Sequence, residues 1–529
     1  MKKKMPGWLS NAVFYEIYPQ SFKDTNGDGI GDLKGITSKL DYIKGLGCTA
    51  IWINPCFVSP FQDAGYDIAD YYKVAPRYGS NADLKKLFKE AHNRGMRVIL
   101  DLVPGHTSIQ HPWFKQSCEP KRNKYTDRFI WTDGTFITAM PECRSISGYC
   151  DRVGQYVVNF FYSQPALNYG FGRPDPKKKW QQGYNDPGPK STRAELKKIM
   201  RFWLDMGADG FRVDMAASLM KGPKSSRYIN KIWREIRQML DRDYPEAMIV
   251  SEWGSPDRAI KAGFHCDFML HFGPPAYNSL FRYETETKNK KSFFNRKGGG
   301  SVVEFVDYYK EIYKEADKKG YICIPSGNHD MFRLGSGRTD ADLKVIFAFL
   351  LTMPGVPFVY AGDEIGMKHN VKVRSKEGGF ERTGARTPMQ WDSSKNKGFS
   401  KAVPGKLYLP VDKKGPEVEK QMNTEGSLWQ TVKRLIALRH KIPALSSDGS
   451  FKVLYARHRK SPFVYERELS GQKYIIAVNP LAKKVKAVFP YKKHNSYTCE
   501  VEGSGNELKL SKSRVSIAMG PVSYSIYKV

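Results

Sequence analysis

The chain has 529 residues, 40% hydrophobic and 26% charged, which is the balance of a globular protein long enough for two or three domains. Its 85 basic against 54 acidic residues leave a net charge of +31. The lysines fall in short scattered clusters, such as 177–179 and 288–291, with no nucleic-acid-binding module among them, so a nucleic-acid role is not expected. Eight cysteines (48, 56, 118, 143, 150, 266, 323 and 499) show neither a CxxC pair nor metal-finger spacing. No apolar segment follows the lysines at 2–4 as an export signal requires, so free thiols in the cytoplasm are expected. Were the chain exported, Cys143 and Cys150 are the pair considered. The longest apolar run, 345–362, is broken by Pro354, Gly355 and Pro357 and reads as a helix end, a turn and a buried strand rather than a membrane span.

Taken in order, short apolar runs alternate with longer amphipathic ones. Strands are expected at 13–17, 50–54, 97–103, 210–214, 248–252, 266–270, 321–325 and 357–360. Helices are expected between them at 36–46, 83–94, 193–206, 229–240, 302–318 and 343–351, and a last helix at 428–440. Eight strands with helices between them are the pattern of an α/β fold of the (β/α)8 TIM-barrel type. From 107 to about 179 the pattern loosens into a stretch rich in Pro, Gly and aromatics, too long for a simple loop, which reads as a subdomain inserted after strand three. After Pro443 the texture changes to strand-like runs at 463–468, 474–478 and 485–489 with turn residues between them, a C-terminal antiparallel β domain. The expected division is a barrel from 1–106 and 180–443, an insert at 107–179 and a β-sandwich at 444–529.

Such a barrel carries its chemistry at the C-terminal ends of its strands. Asp101 and His106 follow strand three, Arg212 and Asp214 end strand four, Glu252 ends strand five, and His329 and Asp330 follow strand seven. Residues two apart on a strand share a face, so Arg212 and Asp214 share a pocket, and the guanidinium is expected to lower the Asp214 pKa. Glu252, beside Trp253 and facing two carboxylates, is expected to be raised. Oxygen donors also recur at alternate positions in DTNGDGIGD: Asp24, Asn26, Asp28, Ile30 and Asp32. The twelfth position is Gly35 rather than the glutamate of an EF-hand, so the loop is either a different cation site or an Asx-turn loop.

DLVPGH (101–106), GFRVD (210–214), SEW (251–253) and GNHD (327–330) resemble the motifs of glycoside hydrolase family 13, the α-amylase superfamily. VFYEIYPQSF (13–22), GYDIADY (65–71), GVPFVYAGDEIGM (355–367), ARTPMQWD (385–392) and VEKQM (418–422) resemble its oligo-1,6-glucosidase and α-glucosidase branch. The resemblance implies Asp214 as nucleophile, Glu252 as general acid/base and Asp330 as the carboxylate holding substrate hydroxyls. It also implies that His106 and His329 bond the same sugar, that Arg212 positions Asp214, and that Tyr66 stacks beneath the ring. Asp63 and Arg386 are implied as the pair that grips the terminal glucose and blocks the cleft. For the loop at 24–32 it implies a structural Ca2+, with Mg2+ able to use the same donors. Three positions depart from the pattern: Gly105 stands where relatives have asparagine, Ala166 in QPALN (164–168) replaces a carboxylate, and Met215 follows the nucleophile where valine or threonine is usual.

The expected function is a monomeric retaining exo-acting α-glucosidase that cleaves α-1,4 or α-1,6 bonds of short oligosaccharides. The alternatives are an endo-acting α-amylase, a glucosyl-transferring or isomerising relative of sucrose or trehalose type, and a binding protein on the same fold. The presence of all three carboxylates argues against the last.

Overall fold

The computed structural model describes residues 5–137, 139–140, 142–282, 291–316, 319–491, 497–501, 503, 505–511 and 513–529. Lys288 and Lys290 and the last two residues of the helix expected at 302–318 lie outside these. Eight parallel strands form one sheet: β1 (Phe14–Ile17), β2 (Ala50–Ile53), β3 (Arg97–Leu102), β4 (Gly210–Val213), β5 (Met248–Ser251), β6 (Cys266–Phe268), β7 (Tyr321–Cys323) and β8 (Phe358–Tyr360). They run in the order β7-β6-β5-β4-β3-β2-β1-β8, and a parallel bridge from Pro325 to Phe358 brings the two ends together. The barrel expected from the sequence is present. Its strands are buried on both faces, which is why they read as continuous apolar runs rather than alternating ones.

Local chemistry sets the element ends. Ser80 and Asp83 form a capping box at the start of helix Asn81–Asn93, and Thr339 and Asp342 do the same for helix Asp340–Thr352. Pro187 opens helix Pro187–Met206, and Gly207 closes it in the left-handed conformation. Helix Asp340–Thr352 is buried nearly all round. Its terminal carbonyls are met by two buried arginines: Arg439 donates to Leu351 and Met353, and Arg467 donates to Thr352. Arg467 lies on a C-terminal strand, so this cap also ties that region to the barrel.

The C-terminal region comprises β9 (Ser450–Arg457), β10 (Lys460–Leu469), β11 (Gln472–Asn479), β12 (Val485–Pro490), β13 (Thr498–Val501), β14 (Glu507–Leu510), β15 (Arg514–Met519) and β16 (Ser523–Lys528). These form antiparallel sheets of five strands (β9-β10-β11-β16-β13) and three (β12-β15-β14) around a core that includes Val464, Ile475, Phe489, Leu508 and Ile517. Between β3 and β4 the chain adds helix Pro112–Ser117 and a hairpin of Ser145–Ser147 with Gln155–Val157. Within that stretch the QPALN segment runs antiparallel beside 105–107, with Leu167 donating to the Gly105 carbonyl and Thr107 to the Pro165 carbonyl. All eight cysteines are free. Cys150 lies in hydrogen-bonding contact with Cys118, so Cys143 is not its neighbour of choice. Among the described residues no helix is long and apolar enough to cross a membrane.

Gly210, which opens the GFRVD motif, has φ +144° and a backbone so close to β5 that an added Cβ would lie 2.0 Å from the Met248 carbonyl oxygen. Gly210→Ala is expected to cost about 1–3 kcal/mol or more in urea unfolding, because both the dihedral and the contact oppose a side chain. An unchanged midpoint would show that β4 and β5 can separate at this point.

Candidate active site

The rim of the barrel is organised around Arg212, which is 1% exposed. Its Nη1 bonds Asp101 Oδ1 at 2.9 Å and Asp214 Oδ1 at 3.0 Å, and its Nη2 pairs with Glu252 Oε1 at 2.8 Å. Parallel register places Asp101 directly opposite Arg212, and the residues after β4 and β5 bring in the other two carboxylates. Glu252 Oε2 also accepts the Met215 N–H at 3.0 Å. Met215 sits at φ +42°, a left-handed conformation unusual for a side chain of this size, immediately after Asp214.

A second network joins the first through Tyr66. The Tyr66 hydroxyl donates to Asp101 Oδ2 at 3.0 Å and lies 2.7 Å from His329 Nε2. His329 Nδ1 lies 2.9 Å from Glu16 Oε1, and its Nε2 lies 3.1 Å from Asp330 Oδ2. The rings of Tyr66 and His329 stack at 5.3 Å and 11°. On the far side, Asp330 Oδ1 accepts from both Arg382 Nη1 and Arg386 Nη2, each at 2.9 Å. Asp63 accepts from Gln164 Nε2 at 2.8 Å and faces Arg382 Nη2 at 3.6 Å.

The rim therefore brings together Asp63, Tyr66, His106, Arg212, Asp214, Glu252, His329, Asp330 and Arg386. Asp63 and Arg386 make no direct pair, because Arg386 is spent on Asp330 and on the His329 carbonyl, and Arg382 pairs with Asp63 instead. Both ring nitrogens of His106 are also engaged by protein, Nε2 with the Tyr66 carbonyl at 3.0 Å and Nδ1 with Asn159 Nδ2 at 3.1 Å. Arg382, Gln164, Asn159 and Glu16 were not singled out from the sequence. Only Glu16 left a signal there, as a carboxylate inside an otherwise apolar strand that must find a buried partner.

The electrostatics also differ from the expectation for Asp214. Burial raises it to about 6, and Arg212 only partly offsets this because its charge is shared among three carboxylates. Burial likewise raises Glu252 to about 7, helped by Asp214 and Asp330 and opposed by Arg212. Asp330 is held well below the usual carboxylate range: burial pushes it up, but His329, Arg386 and Arg382 together outweigh that. His329 is lifted to about 9 by Asp330 and Glu16 against the opposing effect of burial.

The loop at 24–32 holds itself by hydrogen bonds. Asp24 accepts from Gly27 N, Gly29 N and Ser400 Oγ, Asn26 Oδ1 from Asp28 N, Asp28 from Ile30 N, and Asp32 from Thr25 N and Gly35 N. An all-oxygen donor set suits a hard cation. Among the described residues, however, no group of three or more Asp, Glu, His or Cys residues is arranged to hold a metal.

The family model for the α-amylase catalytic domain matches residues 16–448. An oligo-1,6-glucosidase of Heyndrickxia coagulans is 32% identical, over 90% of this chain and 92% of that protein. A trehalose synthase/amylase of Mycolicibacterium smegmatis is also 32% identical, over 88% of this chain and 81% of that protein. The trehalulose synthase of Pseudomonas mesoacidophila MX-45 has a structure that superposes with a TM-score of 0.79 at 28% identity, covering 98% of this chain and 99% of that one. Similar solved structures also include an isomaltulose synthase crystallised with sucrose and an α-glucosyl transfer enzyme. These overturn the expectation of a simple exo-acting hydrolase: the structures that superpose over the chain's whole length include trehalulose and isomaltulose synthases and an α-glucosyl transfer enzyme, and its sequence relatives include trehalose synthases.

The raised His329 pKa has a stability consequence whose sign follows from linkage. The free imidazole titrates near ~6.5, so the ion pairs of His329 stabilise fully below that pH and are lost as pH rises through about 9. Stability is expected to fall across that interval by at most about 3 kcal/mol, and His329→Gln should flatten the slope in urea titrations at several pH values.

Proposed function

The chain belongs to the α-amylase family, in the branch of the oligo-1,6-glucosidases and trehalulose synthases, and from that premise we propose that it transfers or isomerises glucosyl units of a small disaccharide such as sucrose or trehalose. Asp214 attacks the anomeric carbon while the Glu252 carboxyl protonates the departing glycosidic oxygen, giving a covalent glucosyl-enzyme. A hydroxyl of the sugar that has just left, or of another acceptor, then attacks the same carbon. Glu252, now a carboxylate, takes its proton, and the α-configuration is retained. Asp330, kept ionised by Arg382 and Arg386, binds hydroxyls of the glucosyl ring, and Arg212 holds Asp214 and Glu252 side by side.

The observation supporting transfer over release to water is the aromatic rim. Phe161 and Phe380 come within 5.8 Å of each other, joining the segment after β3 to the one after β8. Phe380 lies two residues from Arg382, and the Phe161 N–H bonds Gln164, which in turn bonds Asp63. Phe160 and Phe380 are 37% and 53% exposed, apolar surface near the Asp63–Arg382 pair. Such a rim packs against a departing sugar, slows its escape and keeps water from the intermediate.

Incubation with sucrose, trehalose or maltose should therefore yield isomeric disaccharides or longer transfer products in excess of free glucose. Free glucose released one for one with bond cleavage on every substrate would refute the proposal. Phe380→Ala should shift products toward hydrolysis without loss of fold, whereas Asp214→Ala and Glu252→Gln should each lower kcat about a thousandfold or more.

The pH profile of kcat/KM should be narrow. It rises as Asp214 ionises through about 6 and falls as Glu252 loses its proton through about 7. A broad plateau extending above pH 9 would argue against Glu252 as the acid.

A structural calcium ion in the loop at 24–32 remains part of the proposal. Asp24, Asn26, Asp28, Asp32 and the Ile30 carbonyl would hold it, exchanging some of the loop's own hydrogen bonds for the ion. A chelator should then lower the Tm. An unchanged Tm together with metal-free purified protein would leave the loop as a self-capped turn.

A further inference from the structure

Gly105 and Asn159 occupy one another's space. A Cβ placed on Gly105 would lie 2.7 Å from Asn159 Nδ2, so the missing side chain is what admits the asparagine amide, which comes from the inserted segment, to the back of His106. That amide is fully used. Its Oδ1 accepts Lys221 Nζ at 2.8 Å, and its Nδ2 reaches His106 Nδ1 at 3.1 Å and Ser218 Oγ at 3.2 Å. Lys221 also donates to the Ser218 carbonyl at 2.7 Å.

Donor and acceptor rules leave one assignment. An ammonium group only donates, so the oxygen of Asn159 faces Lys221 and the NH2 faces His106. His106 Nδ1 must then be an unprotonated acceptor, and the ring's single proton lies on Nε2, where it is donated to the Tyr66 carbonyl 3.0 Å away. A second proton on Nδ1 would point at the Asn159 NH2 group with Lys221 behind it.

We infer that Lys221 and Asn159 lock His106 as the Nε2–H tautomer, making it a positioning residue that holds the Tyr66 backbone. Tyr66 in turn carries the hydroxyl that links Asp101 to His329, so the relay runs from the segment after β4 through the insert to both halves of the rim. Burial and Lys221 both lower the His106 pKa, to about 4, which agrees with a neutral ring. The consequence for turnover rests on the function proposed above, whereas the tautomer does not.

The test is 15N NMR of the imidazole of histidine-labelled full-length protein, with His106 assigned by difference from His106→Gln. Wild type should show a protonated Nε2 and an unprotonated Nδ1 at neutral pH. Asn159→Asp replaces the donor with a carboxylate and should convert His106 to the doubly protonated ring, while Asn159→Ala should release the constraint. Gly105→Ala should mimic Asn159→Ala by expelling the amide, and should be silent when combined with Asn159→Ala. With any transferable glucoside, Asn159→Asp should lower kcat/KM about ten- to a hundredfold, as a displaced Tyr66 platform requires. A Nδ1–H tautomer or an imidazolium in the wild type, or a His106 spectrum unchanged in Asn159→Asp, would overturn the inference. Failure of the transfer assay with the expected spectra would instead refute only the proposed function.

Discussion

The site depends on burying more acid than base at one rim. Glu16, Asp63, Asp101, Asp214, Glu252 and Asp330 converge there with Arg212, Arg382, Arg386 and His329, six carboxyls against four cations. Ion pairs this deep are stable only while every charge has a partner, because desolvation costs several kcal/mol per ion. The cations are unevenly distributed. Asp330 has two arginines and a histidinium and stays ionised, while Asp214 and Glu252 share one arginine with Asp101 and are pushed upward. The surplus of acid thus keeps an exchangeable proton beside an ionisable neighbour, the condition for acid and base work in one pocket.

How much of this was legible in the sequence depends on where each residue sits. The eight strands and the residues ending them were readable because buried parallel strands are continuous apolar runs, so a polar residue at their C-terminal ends stands out. Arg212, Asp214 and Glu252 are of this kind, whereas Asp330 was readable through the GNHD motif that follows β7. Arg382 and Gln164 lie in irregular segments, where polar residues are the norm and carry no signal. The Asp214 shift was misjudged because the sequence shows the adjacent arginine but not how many carboxylates draw on it. The exo-hydrolase expectation failed for a related reason: the motifs report the catalytic carboxylates, which hydrolysis and transfer share.

Backbone strain is also present around this region. Five of the eleven non-glycine residues at positive φ among the described residues, Phe61, Ala64, Met215, Glu377 and Phe380, lie in the segments about the rim. Four of them are held by contacts to other segments of the chain. Arg77 lies 3.1 Å over the Phe61 ring and pairs with Glu377, the Tyr18 hydroxyl donates to the Ala64 carbonyl, and Glu252 accepts the Met215 N–H. Such conformations cost about 1–3 kcal/mol each and persist only where the surroundings over-determine them. Met215 shows what the strain accomplishes: its N–H is turned toward Glu252, so the residue after Asp214 orients the carboxyl group next to it.

Because one pair of carboxylates can serve both outcomes, the choice between water and a sugar acceptor must lie in what surrounds the glucosyl-enzyme. Transfer needs an acceptor at high effective concentration, and a departing sugar supplies it if its exit is slower than its reattack. Here the walls on either side come from different parts of the chain. Phe160, Phe161, Gln164 and Asn159 belong to the insert after β3, and Phe380, Arg382 and Arg386 to the segment after β8. Neither segment carries Asp214 or Glu252, so each can change without dismantling that pair, and under the proposed function a change in either re-aims the acceptor. Under the proposed function, the reaction outcome of this chain is set where the insert and the segment after β8 meet over a fixed charge network, and the contact between Phe161 and Phe380 lies at that meeting point.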